Sequence, residues 1–275
     1  MKIGLFNYSD NSGGAARATY RIHKSLLEQG YNSTLYVNNK FLKDSSVKNI
    51  PYILDRNLYK IRTNLISKFI RITNPGIKSY YSLSLLSSNW PKFINDSDLD
   101  IVHLNWLNGE MMSIEDIAKI TKPIVWTFHD MWPFLGSEHL SSNFNSLDFK
   151  NFEEKNFIYK IRHLNEWTYF RKKKSWTKPI HVITPSRWLE KCVKESELMN
   201  NWPIETIPHP IDVKFWKPDL KDNSRKNLGI DRNKIVLTFG ADGGTEAYNK
   251  GFDLLLNSLE NIKDFDKNLI LCIFG

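Results

Sequence analysis

Short, nearly continuous apolar runs alternate along this chain with longer amphipathic or polar stretches, and that alternation limits the fold more than any other feature. The runs are Lys2–Tyr8, Thr34–Val37, Asp100–Leu104, Pro123–Phe128, Ile180–Thr184, Glu205–Ile207, Lys234–Phe239 and Asn268–Phe274. A strand that is apolar along its whole length is buried on both faces, as in parallel sheets flanked by helices. Helix-like segments fill the intervals, among them Ala15–Gln29, Ser113–Ile120, Glu153–Trp176, Arg187–Lys194 and Phe252–Glu260. Strands alternating with helices predict right-handed βαβ units and an α/β fold built on a parallel sheet.

With 275 residues the chain is long enough for about two domains. A boundary is expected near residue 208. There Ile207-Pro208-His209-Pro210-Ile211-Asp212 leads through Phe215-Trp216-Lys217-Pro218 into the polar stretch Asp219–Asn233. The expected division is a domain over 1–207, a linker over 208–233 and a single βαβ unit over 234–275. One such unit cannot cover both faces of its own strands. The preferred reading is the front end of a second domain whose remainder is missing; packing on the first domain or pairing with another chain are the alternatives.

Charged residues make up 25% and hydrophobic residues 41%, which excludes a disordered or collagen-like chain. No run reaches the roughly 18 apolar residues of a membrane span, and Met1-Lys2-Ile3-Gly4-Leu5-Phe6-Asn7 turns polar too early for a signal peptide. Cys192 and Cys272 read as reduced core thiols. Together these features predict a cytoplasmic protein. The net charge of +8 favours phosphates, nucleotides or an anionic membrane face. No nucleic-acid-binding motif appears at its expected spacing, so no nucleic acid partner is expected.

After the first strand, Ser9-Asp10-Asn11-Ser12-Gly13-Gly14-Ala15-Ala16 enters a helix. The Gly13-Gly14 pair permits a tight turn and close approach of a ligand to the backbone. The helix start adds unpaired N–H groups and a positive dipole end. A pyrophosphate cradle and a ligand-free tight turn are both open readings. The dinucleotide pattern G-x-G-x-x-G is absent, against a nicotinamide or flavin site.

Polarity returns abruptly at His129-Asp130-Met131-Trp132-Pro133-Phe134, at the carboxyl end of a buried strand, where open α/β sheets bind ligands. His129 suits hydrogen bonding to a sugar hydroxyl or phosphate, and Trp132 offers an aromatic face to a sugar. The alternative is a histidine satisfied by local backbone, with Asp130 capping the next segment. In Asp100-Ile101-Val102-His103-Leu104-Asn105-Trp106, His103 and Asn105 share one strand face; a satisfied core histidine is the preferred reading of His103, a sugar contact the other. The remaining histidines show no metal-ligand spacing, so no metal is expected. Arg56–Lys78 is basic, lacks acids and repeats its apolar residues at helical spacing. It reads as a surface helix facing the core, with an anionic membrane surface as the alternative. Arg171-Lys172-Lys173-Lys174 reads as a solvated last helical turn.

Gly13-Gly14-Ala15-Ala16 after the first strand, His129 to Phe134, and Thr184-Pro185-Ser186-Arg187-Trp188-Leu189 together resemble glycosyltransferase family 4, in its bacterial polysaccharide branch of the colanic-acid type. Ile207-Pro208-His209-Pro210-Ile211-Asp212 is similar to the family's hinge, with His-Pro in place of Asn-Gly. Phe239-Gly240-Ala241 and Lys250-Gly251-Phe252 resemble the opening of its second domain. The resemblance implies a GT-B fold, two Rossmann-like domains, with the second apparently truncated here. It implies a hexosyltransferase that moves a sugar from a UDP- or GDP-sugar to a saccharide or lipid-linked saccharide, with retention and without a metal or other cofactor, in surface polysaccharide synthesis. By that likeness His129 is catalytic, Gly13, Gly14 and Lys250 meet the donor phosphates, and His103, Asp130 and Trp132 meet sugar. A departing nucleoside diphosphate builds negative charge that N–H groups and cations must stabilise.

The chain departs from that branch in three places. Gly136–Phe152 lacks the branch's cysteines, Asn249 stands where a basic residue often precedes the lysine, and the family's late paired glutamates are not reached. Glu197 and Glu205 match the spacing but precede the linker, so they are not those glutamates. The chain is therefore expected to be inactive or very weak by itself. The alternative is a non-catalytic binding module or partner subunit that keeps the acceptor groove. Peripheral contact with the inner face of the cell membrane is the accompanying expectation for Arg56–Lys78.

Overall fold

In the first part of the chain the elements run β1 (Lys2–Ser9), α1 (Gly13–Glu28), β2 (Asn32–Asn39), β3 (Val47–Asn49), α2 (Ile53–Thr73), α3 (Trp90–Asp96) and β4 (Ile101–Leu104). They continue with α4 (Ile114–Ala118), β5 (Ile124–Thr127), α5 (Phe157–Arg162), α6 (Leu164–Ser175), β6 (His181–Thr184), α7 (Arg187–Glu195) and β7 (Ile204–Thr206). After them come α8 (Lys221–Asn227), β8 (Ile235–Gly240), α9 (Phe252–Glu260) and β9 (Leu269–Phe274). This computed structural model describes residues 1–51, 53–75, 80–141, 157–246, 248–260 and 268–275. Its contacts form two units, Met1–Pro210 and Ile211–Gly275.

The first unit holds a seven-stranded sheet in the order β3-β2-β1-β4-β5-β6-β7. Every neighbouring pair is parallel. This is the α/β parallel sheet that the apolar runs predict, Rossmann-like as the resemblance implies. The chain leaves β1 toward β2 and β3, then returns to build β4 to β7 on the other side, so strand order reverses between β1 and β4. The carboxyl edge at such a reversal is where open α/β sheets place ligands.

β1 is buried on both faces, as its uninterrupted apolar run requires. Ile3 and Leu5 pack with Leu35, Val37 and Val47 beneath Tyr20, Ile22 and Leu26 of α1. Phe6, on the opposite face, joins Val102, Leu104, Trp126 and Val182 in the larger core, which α3, α4 and α7 close with Trp90, Ile94, Ile117, Leu189 and Val193. Burying a side chain of this size contributes about 1.5–3 kcal/mol, so the larger core dominates the stability of the unit. Both cysteines are free thiols, Cys192 buried and Cys272 half-buried.

In the second unit β8 pairs in parallel with β9, register Ile235 with Leu269 through Gly240 with Phe274. A Cβ at Gly240 would meet the exposed Phe274 ring at 2.2 Å, so a side chain there requires that ring to move.

Several elements differ from the sequence expectation. The segment Glu153–Trp176 is two helices, with His163 at φ −123° and ψ 54° between them; residues 153–156 lie outside the described residues, as does Lys78. The polar stretch 219–233 contains α8, none of whose residues is buried. β3 and α3 were not legible, the first being three residues long and the second beginning Trp90-Pro91, with proline in its first turn. The basic run at 171–174 is a solvated last turn only at Lys173 and Lys174. Lys172 is fully buried, and Arg171 is tied to Glu115 and to the carbonyls of Leu83 and Ser84.

Candidate functional site

β1 ends at the reversal point and runs straight into the glycine pair. Ser9 Oγ accepts the N–H groups of Asn11 (3.3 Å) and Ser12 (3.1 Å), which folds the chain back into α1. Gly13 takes φ +85°, a conformation open to glycine and strained for other residues. Gly14 has no such need: a Cβ there would meet nothing within 4 Å. Ser12 occupies the N-cap without a side-chain cap bond, and the first turn of α1 carries no acid. The helix thus presents its positive end and its first N–H groups. In front of them is a hollow of about 290 Å³ lined by residues 7–9 and 12–16 together with Trp106.

The next loop along the edge follows β4. Asn105 is buried. Its Oδ1 lies 3.1 Å from His129 Nε2, while its Nδ2 donates to the His103 carbonyl. His129 is half-buried at the end of β5 and stacks on His209 at 5.0 Å between ring centres. Burial, with the His209 ring adding to it, pushes the His129 imidazole down to about 3. At neutral pH it is uncharged. Nε2–H donates to Asn105, which leaves Nδ1 as a lone-pair acceptor.

Asp130 turns the other way. Its carboxylate accepts from His139 Nδ1 (2.6 Å), Trp106 Nε1 (2.8 Å) and the Trp132 N–H (3.0 Å). His139 Nε2 in turn meets Ser82 Oγ at 2.8 Å. Burial alone would raise the Asp130 carboxyl; the His139 ring and these donors hold it below its ordinary value. Trp132 is 1% exposed, and its indole N–H donates to the Ser82 carbonyl. Beneath its ring, at 3.7 Å, lies Lys172 Nζ. That amine donates to the carbonyls of Trp132, Leu135 (3.0 Å) and Gly136 (2.6 Å), and so fixes the turn after His129 and Asp130. Burial drives the Lys172 amine well below its usual range.

A sequence profile described as Glycosyltransferase Family 4 matches residues 12–215, which include the glycine pair, the β4 loop and the His129 edge. The chain belongs to glycosyltransferase family 4.

Among solved structures, this family 4 chain is similar to WaaG, a glycosyltransferase involved in lipopolysaccharide biosynthesis, with 13% identity, a TM-score of 0.43 and 98% of the chain covered. It is likewise similar to a glycosyltransferase from Rickettsia africae ESF-5, with 13% identity, a TM-score of 0.46 and 98% covered. An α-glucosyltransferase in complex with UDP and a 13-mer DNA matches at 14% identity, a TM-score of 0.39 and 95% covered. The chain spans 62%, 60% and 54% of those three proteins. Among curated proteins none matches.

Along this family 4 chain, the residues singled out from sequence fall in different places. Gly13 and Gly14 line the hollow, and His129 is joined to the same edge through Asn105, the neighbour of Trp106. His103 is on the sheet face away from the larger core. It bonds Thr127 Oγ1 at 2.7 Å and lines an apolar cavity of about 380 Å³ with Val125, Ile183 and His209. Burial lowers its imidazole to about 4. Lys250 belongs to the second unit, exposed in the turn Tyr248–Lys250 before α9. Among the described residues no group of three or more His, Cys, Asp or Glu side chains is placed to hold a metal. Sequence reasoning gave no role to His139 and Trp106 and read Lys172 as solvated. His139 and its partners Asp130 and Ser82 are 9 and 57 residues apart in sequence, so only the fold unites them.

Proposed function

We propose that the chain is the acceptor-side part of a retaining GT-B glycosyltransferase of the colanic-acid type. Such an enzyme moves a hexose from a UDP- or GDP-sugar to a hydroxyl of a saccharide or lipid-linked saccharide, in surface polysaccharide synthesis. The observation that carries this reading is the open space before Gly14. The fold does not require glycine there, since a Cβ would touch nothing, and the glycine leaves the first N–H groups of an uncapped helix open to an anion.

In the proposed reaction the bond from the anomeric carbon to the diphosphate breaks as the acceptor oxygen bonds to that carbon. Negative charge then collects on the leaving diphosphate. The α1 N-terminus stabilises it without reorganising. The uncharged His129 receives a hydroxyl of the transferred sugar on Nδ1, its other nitrogen being engaged by Asn105. Asp130 acts on the site through the Trp106 side chain it holds. A lipid-linked acceptor would place the protein at a membrane surface. α2 suits that position, because Ile61 (54%), Leu65 (58%) and Ile72 (79%) are exposed on one stripe, with Lys68 and Arg71 beside it. No described helix is long and apolar enough to cross a membrane.

The test is an NMR titration of the backbone amides with UDP, GDP and uridine to millimolar concentration. The reading expects the Gly13, Gly14 and Ala15 amides to shift with either diphosphate and not with uridine. Unmoved amides, or equal shifts with uridine, would refute it.

A further inference from the structure

The same sheet edge carries an aromatic surface to which the reaction above assigns no role. Trp106 is half-buried between buried Asn105 and Leu107. Tyr8 meets it edge-on at 5.8 Å, and Tyr80, 54% exposed, lies beside it at 6.1 Å and 31°. Asn105 faces His129, whereas Trp106 lines the glycine hollow and continues outward into Tyr80. The two sides of this loop thus provide separate walls.

The Trp106 ring is held from several directions. Its indole N–H donates to Asp130, whose carboxylate is fixed by His139 and the Trp132 amide. Its backbone N–H donates to Asn7 Oδ1, and its carbonyl accepts from Tyr8, both at 2.8 Å. The loop beyond it is strained at Glu110, a non-glycine residue at φ +59°. Glu110 Oε2 accepts the N–H groups of Leu85 and Leu86 at 2.9 Å, which ties the loop to the segment that carries Tyr80. Residues held in such conformations cluster at ligand sites, where the surroundings over-determine them. A ring fixed before binding loses little freedom when a ligand arrives.

We infer that Trp106 and Tyr80 form the platform for the acceptor saccharide, one pyranose stacking its C–H face on the indole and the next unit reaching Tyr80. The inference rests on the reading of the glycine hollow as the diphosphate site, which places the acceptor hydroxyl beside the bond to be broken. A pyranose suits such a surface because its C–H face is weakly positive and meets the negative face of the aromatic ring. Asp130 is then a positioning residue that sets the plane of Trp106. Trp132, buried over Lys172, supports the turn from behind.

The experiment is saturation-transfer NMR on the full chain with the methyl α- and β-pyranosides of glucose, galactose, mannose and N-acetylglucosamine, and with their β-linked disaccharides. The UDP amide titration runs in parallel on the wild type, W106F, W106A and Y80A, and thermal melting confirms that each variant is folded. At least one saccharide should bind the wild type with transfer strongest at its ring C–H protons. W106A should weaken that binding about tenfold, with W106F and Y80A losing less and the UDP shifts unchanged in Y80A, whose side chain does not line the hollow. Saccharide binding in W106A and Y80A within about twofold of wild type would overturn the inference. So would UDP shifts without binding of any saccharide, although the diphosphate reading would then stand. Absence of both would overturn that reading as well.

Discussion

Replacing Gly14 by alanine separates what the fold needs from what a ligand needs. Gly14 is the second residue of α1, and a methyl group there meets no atom within 4 Å. Alanine loses less backbone entropy on folding than glycine in a helix, so the variant should gain about 0.5–1 kcal/mol. For a unit of this size that raises the melting temperature by about 1–4 °C. The methyl group instead projects into the hollow in front of the helix start, where it holds a diphosphate away from the N–H groups. A hydrogen bond to a charged group contributes about 1.5–3 kcal/mol, so losing one should weaken diphosphate binding about tenfold or more. The two readouts are a thermal melt by circular dichroism and a UDP titration followed at the Ala15 and Ala16 amides. A variant that melts higher and binds UDP less well supports the account. One that binds UDP as well as the wild type, or melts lower, would refute the reasoning. Gly13→Ala does not discriminate, because φ +85° alone costs an alanine about 1–2 kcal/mol.

Other outcomes follow from the same geometry. His103 has an imidazole lowered by burial to about 4. Its contribution is complete above the unfolded value near 6.5 and is lost as pH falls toward 4, because the unfolded chain then binds the extra proton. His103→Gln should therefore reduce the stability lost between pH 7.5 and pH 5 by about 2 kcal/mol in urea denaturation; an unchanged pH dependence would contradict this. Lys172→Met strands the carbonyls of Trp132, Leu135 and Gly136 and should cost about 3 kcal/mol in urea denaturation at pH 7.5. A cost below about 1 kcal/mol would show that burying the lysine offsets what its bonds supply. The chain should float with anionic vesicles and not zwitterionic ones at low salt, and Ile61→Glu with Leu65→Glu should abolish flotation. Absence of binding to anionic vesicles at low salt would end the membrane role of α2.

Strands were the legible part of the chain because burial on both faces writes itself as an uninterrupted apolar run. β1, with Ile3 and Leu5 on one face and Phe6 on the other, is the plainest case. α8 left no trace because none of its residues is buried, so no apolar stripe marks it. Lys172 misled in the opposite direction. Its charge suggested water, yet it continues the buried line of Leu164 and Thr168 at four-residue steps. The line could have been read, but a carbonyl cage and an indole as its lining could not. The glycine pair was visible as a motif; that Gly13 is required by its φ and Gly14 is not emerges only from coordinates. His129 was visible as the place where polarity returns. Its tie to Asn105, and the His139–Asp130–Trp106 chain beside it, join residues far apart in sequence that only the parallel sheet brings to one edge.

The central claim is that the helix start after β1 receives a diphosphate. A crystal of the full chain soaked with UDP tests it most directly. The account predicts phosphate oxygens within hydrogen-bond distance of the Gly14 and Ala15 N–H groups, in the hollow walled by Trp106. Diphosphate density elsewhere on the chain, with that hollow holding only solvent, would contradict it.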